Sequence, residues 1–503
     1  MRALITFYLI IYINFGYSQD PTQYASYIDS EELKTLLYTY ASDDFLGREA
    51  GTNGQKIAVE FLKNQYIKLG IAAAKSDGDY YQKVPLKLKN NRTTMMSVEG
   101  KTYSYFGDFI SDSASEITKI NTDSYAYVGH GINDENHNDY KNLDIKGKLV
   151  VAIVGEPVNF DGVYAVSGTT SKSKWSSSEE GFTYKKNLAL KKGAKGFILI
   201  DNYKFIRYAP YYKSIESKGE ANLTLDVKPN RMFSLLAGKT LGAALIQEKN
   251  GIYNKNINIE YKNNSEPFSS ENVIAVIKGN ERPDEYIIIS AHLDHIGIHD
   301  GSVFNGADDD GSGTVAILEI AQAFQNAVKN GHGPKRSIVF LHLTAEEKGL
   351  LGSQYYTDHN PVFELEKTVA NLNIDMIGRT DPKRKKRNRN YIYLIGSDKL
   401  SKELHEVSEM ANNNYSNLEL DYTYNDERDP NRFYYRSDHY NFAKKNIPVI
   451  FYFNGTHEDY HKATDTADKI QYDLLESRSR LIFFTAWELA NREERIRLDA
   501  IRN

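Results

Sequence analysis

The chain has 503 residues, 41% of them hydrophobic and 26% charged, which is too long for one ordinary domain and reads as a globular protein of two or three. Its net charge of -5 excludes a molecule built as a whole to hold nucleic acid. It has no cysteine, which excludes disulfides, thiolate metal sites and cysteine catalysis, so any metal must sit on imidazole and carboxylate.

At the N-terminus, Met1-Arg2 precede an apolar run from Ala3 to Phe15, followed by Gly16-Tyr17-Ser18 and the polar Gln19-Asp20. One basic residue, a short apolar stretch and a small residue at its end predict a secretory signal peptide over residues 1–18. The run falls short of the roughly 20 apolar residues that a membrane span needs. A secreted or periplasmic protein is expected, with no membrane association once the segment is cleaved. Residues 19–98 read as helical first. A Gly-containing turn, Asp44-Phe45-Leu46-Gly47-Arg48-Glu49, then precedes a second amphipathic helix whose apolar positions are Ala58, Phe61, Leu62, Tyr66 and Leu69. Residues 99–265 read as a β-rich insert, with strands at Tyr125–Val128, Leu149–Val154 and Gly196–Ile200 and a helix over Lys185–Lys192.

From residue 266 to 503 the pattern alternates. Apolar runs occur at Val273–Ile277, Tyr286–Ile289, Ile338–Leu343, Val369–Ile374, Tyr391–Ile395 and Val449–Phe453, and a long helix is predicted from Ser312 to about Val328. This predicts an α/β fold, a mixed, mostly parallel sheet flanked by helices. The basic run Lys383–Arg387 has no interleaved aromatic residues and is expected to be a solvated loop between two strands.

Acidic and histidine clusters follow the strand ends, where open α/β sheets place their ligand sites. In His292-Leu293-Asp294-His295, a metal-binding imidazole at His292 is matched by Asp294, able to accept its other ring N–H. Asp308-Asp309-Asp310 repel one another unless cations gather them, and their spacing lacks the alternation and terminal glutamate of an EF-hand. Of Glu346-Glu347, one can bind metal while its neighbour handles a proton. Asp375 ends an apolar run, and His461 lies in a late polar loop. Imidazole and carboxylate without thiolate suit catalytic zinc.

These motifs, over about residues 271–470, resemble the di-zinc aminopeptidases and their glutamate carboxypeptidase relatives, the clan MH metallopeptidases. The carriers are His292-Leu293-Asp294, Gly306-Ala307-Asp308-Asp309-Asp310-Gly311-Ser312-Gly313, Glu346-Glu347-Lys348-Gly349-Leu350-Leu351-Gly352-Ser353, Asp375-Met376 and Tyr460-His461. The resemblance implies a zinc exopeptidase fold and two zinc ions per chain on His292, Asp309, Glu347, Asp375 and His461. It makes Asp309 the bridging ligand, chosen over Asp308 for its place in the Asp-x-x-Ser-Gly part of the motif. Glu347 is implied to share a metal with His292 or Asp375, and His461 to complete the pair. Glu346 is implied as general base, Tyr460 as a hydrogen-bond donor to the oxyanion, and Arg436 as a substrate contact, its alternative being a salt bridge that orders the loop. Residues 120–205 resemble a protease-associated domain, through Tyr127-Val128-Gly129-His130-Gly131-Ile132, Asp144-Ile145-Lys146-Gly147-Lys148-Leu149-Val150 and Lys191-Lys192-Gly193-Ala194-Lys195-Gly196.

The function so implied is exopeptidase hydrolysis of a peptide substrate. Arg436 is the one basic group that can be placed near the site, whereas a carboxypeptidase needs a cluster of them, which favours an aminopeptidase over a carboxypeptidase or dipeptidase. Two rivals share the fold. One is a glutaminyl cyclase-like enzyme with a single zinc, the other a binding protein that has lost its metals.

Overall fold

The computed structural model describes residues 20–112, 117–176, 181–217, 222–227 and 232–499, and the expected signal peptide lies outside them. Among the described residues no helix is long and apolar enough to cross a membrane. The chain divides into two compact units, Met1–Val84 with Ser269–Asn503, and Pro85–Phe268.

In the first unit, helix α1 (Ser30–Tyr40) starts where the Asp29 carboxylate accepts the main-chain N–H groups of Glu31 and Glu32. It buries Leu33, Leu37 and Tyr40. Helix α2 (Asn53–Leu69) buries Ala58, Leu62 and Tyr66 and stops at Gly70, whose φ of 76° is a left-handed cap. The sheet follows. Its strands are β1 (Gly251–Ile277, of which Val273–Ile277 pair in this unit), β2 (Arg282–His292), β3 (Arg336–Leu343), β4 (Thr368–Ile374), β5 (Tyr391–Ile395), β6 (Glu419–Asp421) and β7 (Val449–Phe453). Their order is β6-β5-β7-β4-β2-β3-β1. Pairs β2/β3, β2/β4, β4/β7 and β5/β6 are parallel, and β1/β3 and β5/β7 antiparallel. The sheet is therefore mixed and mostly parallel.

Side chains alternate between its faces with the two-residue period of a strand. Val273, Ala275, Ile287, Ile289, Ile338 and Phe340 enter the larger core with α1, α2, helix α3 (Gly313–Lys329) and helix α4 (Tyr472–Asn491). Ile274, Val276, Ile288, Val339 and Leu341 face the opposite core, against Tyr356, Leu400 and Phe442. Burial on both faces explains why these strands read as continuous apolar runs.

In the second unit, Ile117–Tyr127, Leu149–Ile153, Gly196–Ile200 and Phe233–Ala237 lie parallel, with antiparallel neighbours at either end. Leu149, Val151 and Ile198 face one core, and Val150, Ala152 and Phe197 the other.

The run Lys383–Arg387 does lie between two strands, but it is not wholly solvated. The Arg384 side chain is only 4% exposed, pairs with Glu419 and Asp421, and lies 4.0 Å from the centre of the Tyr391 ring. Two carboxylates and an aromatic face compensate the loss of water, which a count of charges along the sequence does not register.

Candidate metal centre

The sheet delivers its polar residues to one edge. β2 ends on His292, β3 is followed by Glu346 and Glu347, β4 by Asp375, and the loop after β7 carries His461. The three aspartates form the turn Ala307–Ser312 that leads into α3.

These three part company. Asp308 accepts the N–H of Gly378 at 2.7 Å and lies 3.1 Å from His457 Nε2. Asp310 accepts the N–H groups of His292, Gly313 and Met376 at 3.1, 3.0 and 3.0 Å, tying together β2, α3 and the loop after β4. It also lies near the ligand atoms of His292 and Asp375, but the main chain already occupies both its oxygens. Asp309 turns the other way. Its Oδ1 is 3.1 Å from His292 Nε2, and its Oδ2 is 3.2 Å from His461 Nε2.

Around Asp309 the remaining groups fall into two sets. His292 Nε2 is 3.8 Å from Asp375 Oδ1 and 4.0 Å from Glu346 Oε2. Glu347 keeps different company from that expected: its Oε2 is 3.2 Å from His461 Nε2 and its Oε1 is 2.8 Å from His295 Nδ1. Neighbouring glutamates at the turn after β3 point apart, so Glu346 faces the His292 side and Glu347 the His461 side.

Asp294 also differs from expectation. The Nδ1 of His292 lies 3.0 Å from the main-chain carbonyl of Asp294, not from its carboxylate. The carboxylate instead accepts the N–H of Glu346 at 3.0 Å, because the chain bends back after β2 and presents its carbonyl to the ring. Tyr460 stacks on His461 with ring centres 3.9 Å apart. Arg436 is exposed, donates to Tyr460 Oη at 3.5 Å and lies 5.0 Å from the Phe433 ring centre. Among the described residues it makes no salt bridge. Arg436, Tyr460, His461, Asp309, Glu346 and Asp375 line one cavity with Phe433, Phe451 and Phe453.

The electrostatics are those of an acidic cluster short of positive charge. Burial would raise Asp309, but His292 and His461 outweigh it and hold its carboxyl well below the usual range. Burial and Asp309 push Glu347 up, while His295 and His461 pull it down to about 2. Burial lowers His461, but Asp309 and Glu347 raise it to about 10. Glu346 is raised well above the ordinary glutamate range by burial and by the charges of Asp375 and Glu347, against the pull of His292. Among the described residues, Asp309 Oδ2, Glu347 Oε1 and His295 Nδ1 are all buried without a hydrogen-bond partner. Each such atom costs about 1–3 kcal/mol if left unsatisfied. A cation among them would remove that cost, and the nitrogen and oxygen donor set fits zinc.

Residues 272–486 match peptidase family M28. This stretch, similar to that family, is a little under half of the chain. Curated relatives include a probable glutamate carboxypeptidase, LAMP1, of Arabidopsis thaliana, 38% identical over 119 residues (24% of this chain, 16% of the relative). Leupeptin-inactivating enzyme 1 of Streptomyces exfoliatus is 33% identical over 200 residues (39% of this chain, 38% of the relative). Aminopeptidase YwaD of Bacillus subtilis is 26% identical over 234 residues (45% of this chain, 46% of the relative). Each of these matches spans less than half of the relative's own length. Among solved structures, an aminopeptidase from Aneurinibacillus sp. strain AM-1 is 18% identical, covering 96% of this chain and 98% of that one at a TM-score of 0.47.

Three residues around this candidate site escaped the sequence reading as functional residues. His295 stood inside a quoted motif, three residues after His292. Asp465 accepts the N–H groups of Asp308 and Asp309 at 3.0 and 3.1 Å and so fixes the acidic turn. Arg48, from the turn before α2, is fully buried and donates to four carbonyls: Leu293 (3.1 Å), Tyr40 (3.1 Å), Asn305 (2.7 Å) and Gly306 (3.0 Å). It thereby braces the loop after β2 against the acidic turn. Nothing in the turn Asp44-Phe45-Leu46-Gly47-Arg48-Glu49 marks this arginine as buried.

Proposed function

We propose that this chain is a secreted, zinc-dependent exopeptidase that acts as an aminopeptidase on peptides, with two zinc ions per chain and Glu346 as general base. The observation that carries the reading is the convergence of buried, unsatisfied donor atoms around Asp309, with Glu346 facing the same cavity. His292, Asp309 and Asp375 would hold one ion, and Asp309, Glu347 and His461 the other. Bound there, zinc supplies Lewis-acid polarisation of a peptide carbonyl and lowers the pKa of the attacking water.

The chain's own groups do the rest. Glu346, its proton affinity raised by burial and neighbouring carboxylates, takes the proton of the attacking water and passes it to the leaving amine. Asp294 steadies Glu346 through its main-chain N–H, and the Asp294 carbonyl orients the His292 ring. Tyr460 Oη donates to the developing oxyanion, with Arg436 beside it as a substrate contact. An aminopeptidase is favoured over a carboxypeptidase or dipeptidase because, among the described residues, Arg436 is the single lysine or arginine lining the cavity. The reading includes an inserted protease-associated domain over 99–265, a stretch close to the compact unit Pro85–Phe268.

The test is Glu346→Gln. It should keep both zinc ions and lose about 10²–10⁴-fold or more in turnover of aminoacyl and peptide chromogenic substrates. A variant with a near-parental rate refutes the assignment. One zinc per chain in the parent would instead favour a glutaminyl cyclase-like enzyme, and no bound metal a binding protein.

A further inference from the structure

We infer that His295 is a third imidazole ligand of the metal centre, binding through Nδ1 the cation shared by Asp309 and Glu347. This rests on the two-zinc reading above and extends its ligand set from five residues to six. His295 has no exposed surface, and among the described residues neither of its ring nitrogens has a hydrogen-bond partner. Among those residues the fully buried His439 also has both ring nitrogens without a hydrogen bond, so what sets His295 apart is what its ring faces. The His295 Nδ1 is 2.8 Å from Glu347 Oε1 and 3.9 Å from Asp309 Oδ2, two buried oxygens that accept no hydrogen bond among the described residues. One ligand atom from each of the three residues lies within 4.8 Å of the others. The 2.8 Å contact lacks hydrogen-bond alignment. That is the geometry of two donors aimed at a common point beside the line joining them.

The ring is held for this task. The main-chain N–H of His295 donates to the Arg48 carbonyl at 3.4 Å. Gly306, at φ +51°, lies against the ring so closely that a Cβ there would stand 2.5 Å from His295 Cγ. Any side chain at that position would displace the imidazole. Across the site the His461 ring stands edge-on, with centroids 6.0 Å apart. Glu347 spans the two histidines, Oε1 toward His295 and Oε2 toward His461. The two metal positions are then unequal. The Glu347 position has two imidazoles and the Asp375 position one, so the former should prefer zinc, cobalt and nickel over manganese more strongly.

The experiment loads the full-length protein, carrying 15N-labelled histidine, with 113Cd, and reads scalar couplings between metal and nitrogen. Two bound ions should couple to three nitrogens: Nε2 of His292, Nδ1 of His295 and Nε2 of His461. His295→Asn should remove one coupling and weaken one of the two zinc sites at least tenfold, leaving the other unchanged. Two ions coupled to two histidines only would overturn the inference while leaving the two-zinc reading standing, and this measurement on the parent needs no variant to fold. A parent that binds no metal would overturn both.

Discussion

Replacing Arg48 by lysine isolates the geometry of the brace from its charge. The guanidinium reaches carbonyls on two separate loops and on α1, at 2.7 to 3.1 Å, and lies 4.6 Å from the centre of the Tyr40 ring. A lysine ammonium is a single point with three donors and cannot span Leu293 on one side and Asn305 and Gly306 on the other. Two of the four bonds are therefore lost. At about 1.5–3 kcal/mol for each bond to a charged donor, with part recovered by relaxation, the lysine variant should be destabilised by about 3 kcal/mol. Alanine removes all four and leaves a cavity, so its loss should exceed about 5 kcal/mol. Urea unfolding of chelator-treated protein measures this, and a zinc titration measures the consequence. The loops bearing His292 and Asp309 lose their common anchor, so affinity should fall about 10–100-fold, as when an outer support of a metal ligand is removed. A lysine variant within about 0.5 kcal/mol of the parent, the range of an ordinary surface change, with unchanged zinc affinity would refute the brace.

Tyr460→Phe should lower kcat by about 10²–10³-fold with little change in KM if the hydroxyl serves the oxyanion; steady-state kinetics decide, and a rise in KM alone would assign the hydroxyl to substrate binding. Chelation should lower the melting temperature and zinc should restore it, with stabilisation of about 3 kcal/mol per site when free zinc is a hundred times Kd; melts indifferent to both would refute a metal centre. Burial raises Glu319, remote from the centre, to about 8, and the neighbouring Glu32 adds to the effect. Because the folded protein then holds a proton that the unfolded chain releases above its ordinary pKa, this group's contribution falls between about pH 4.5 and 8. Glu319→Gln should be close to neutral at pH 4 and stabilising by a few kcal/mol at pH 8, and thermal melts at the two pH values test the sign.

The sheet was legible because its strands are buried on both faces. Tyr391–Ile395 and Val449–Phe453 were read to the residue, and the helix expected over Ser312–Val328 spans Gly313–Lys329. The ends of β2 were less visible. Periodicity marked Tyr286–Ile289, whereas the strand runs Arg282–His292, since pairing with β3 carries polar residues into the ladder. The insert read as β-rich with a few helices. It contains four parallel strands and helices such as Gly181–Lys191 and Lys239–Leu245, because a run like Leu149–Ile153 looks the same whether its neighbours run parallel or antiparallel.

The site divides along a similar line. A candidate metal ligand or general base must be one of a few residue types, so His292, Glu346, Glu347 and Asp375 stood out by chemistry and strand-end position, whereas Asp309, one of three adjacent aspartates, and His461 came chiefly from the family resemblance. The supports work through the main chain. Arg48 grips carbonyls, Asp465 and Asp310 accept N–H groups, and the Asp294 carbonyl, not its carboxylate, orients His292. Every residue has a carbonyl and nearly all have an N–H, so the partners of such bonds leave no mark in the sequence. Only the side-chain end can, and a buried arginine is indistinguishable there from a solvated one. His295 is the intermediate case. Its type was right for a ligand, but three residues beyond His292 it could have faced either way, and only its burial beside Glu347 separates a ligand from a bystander.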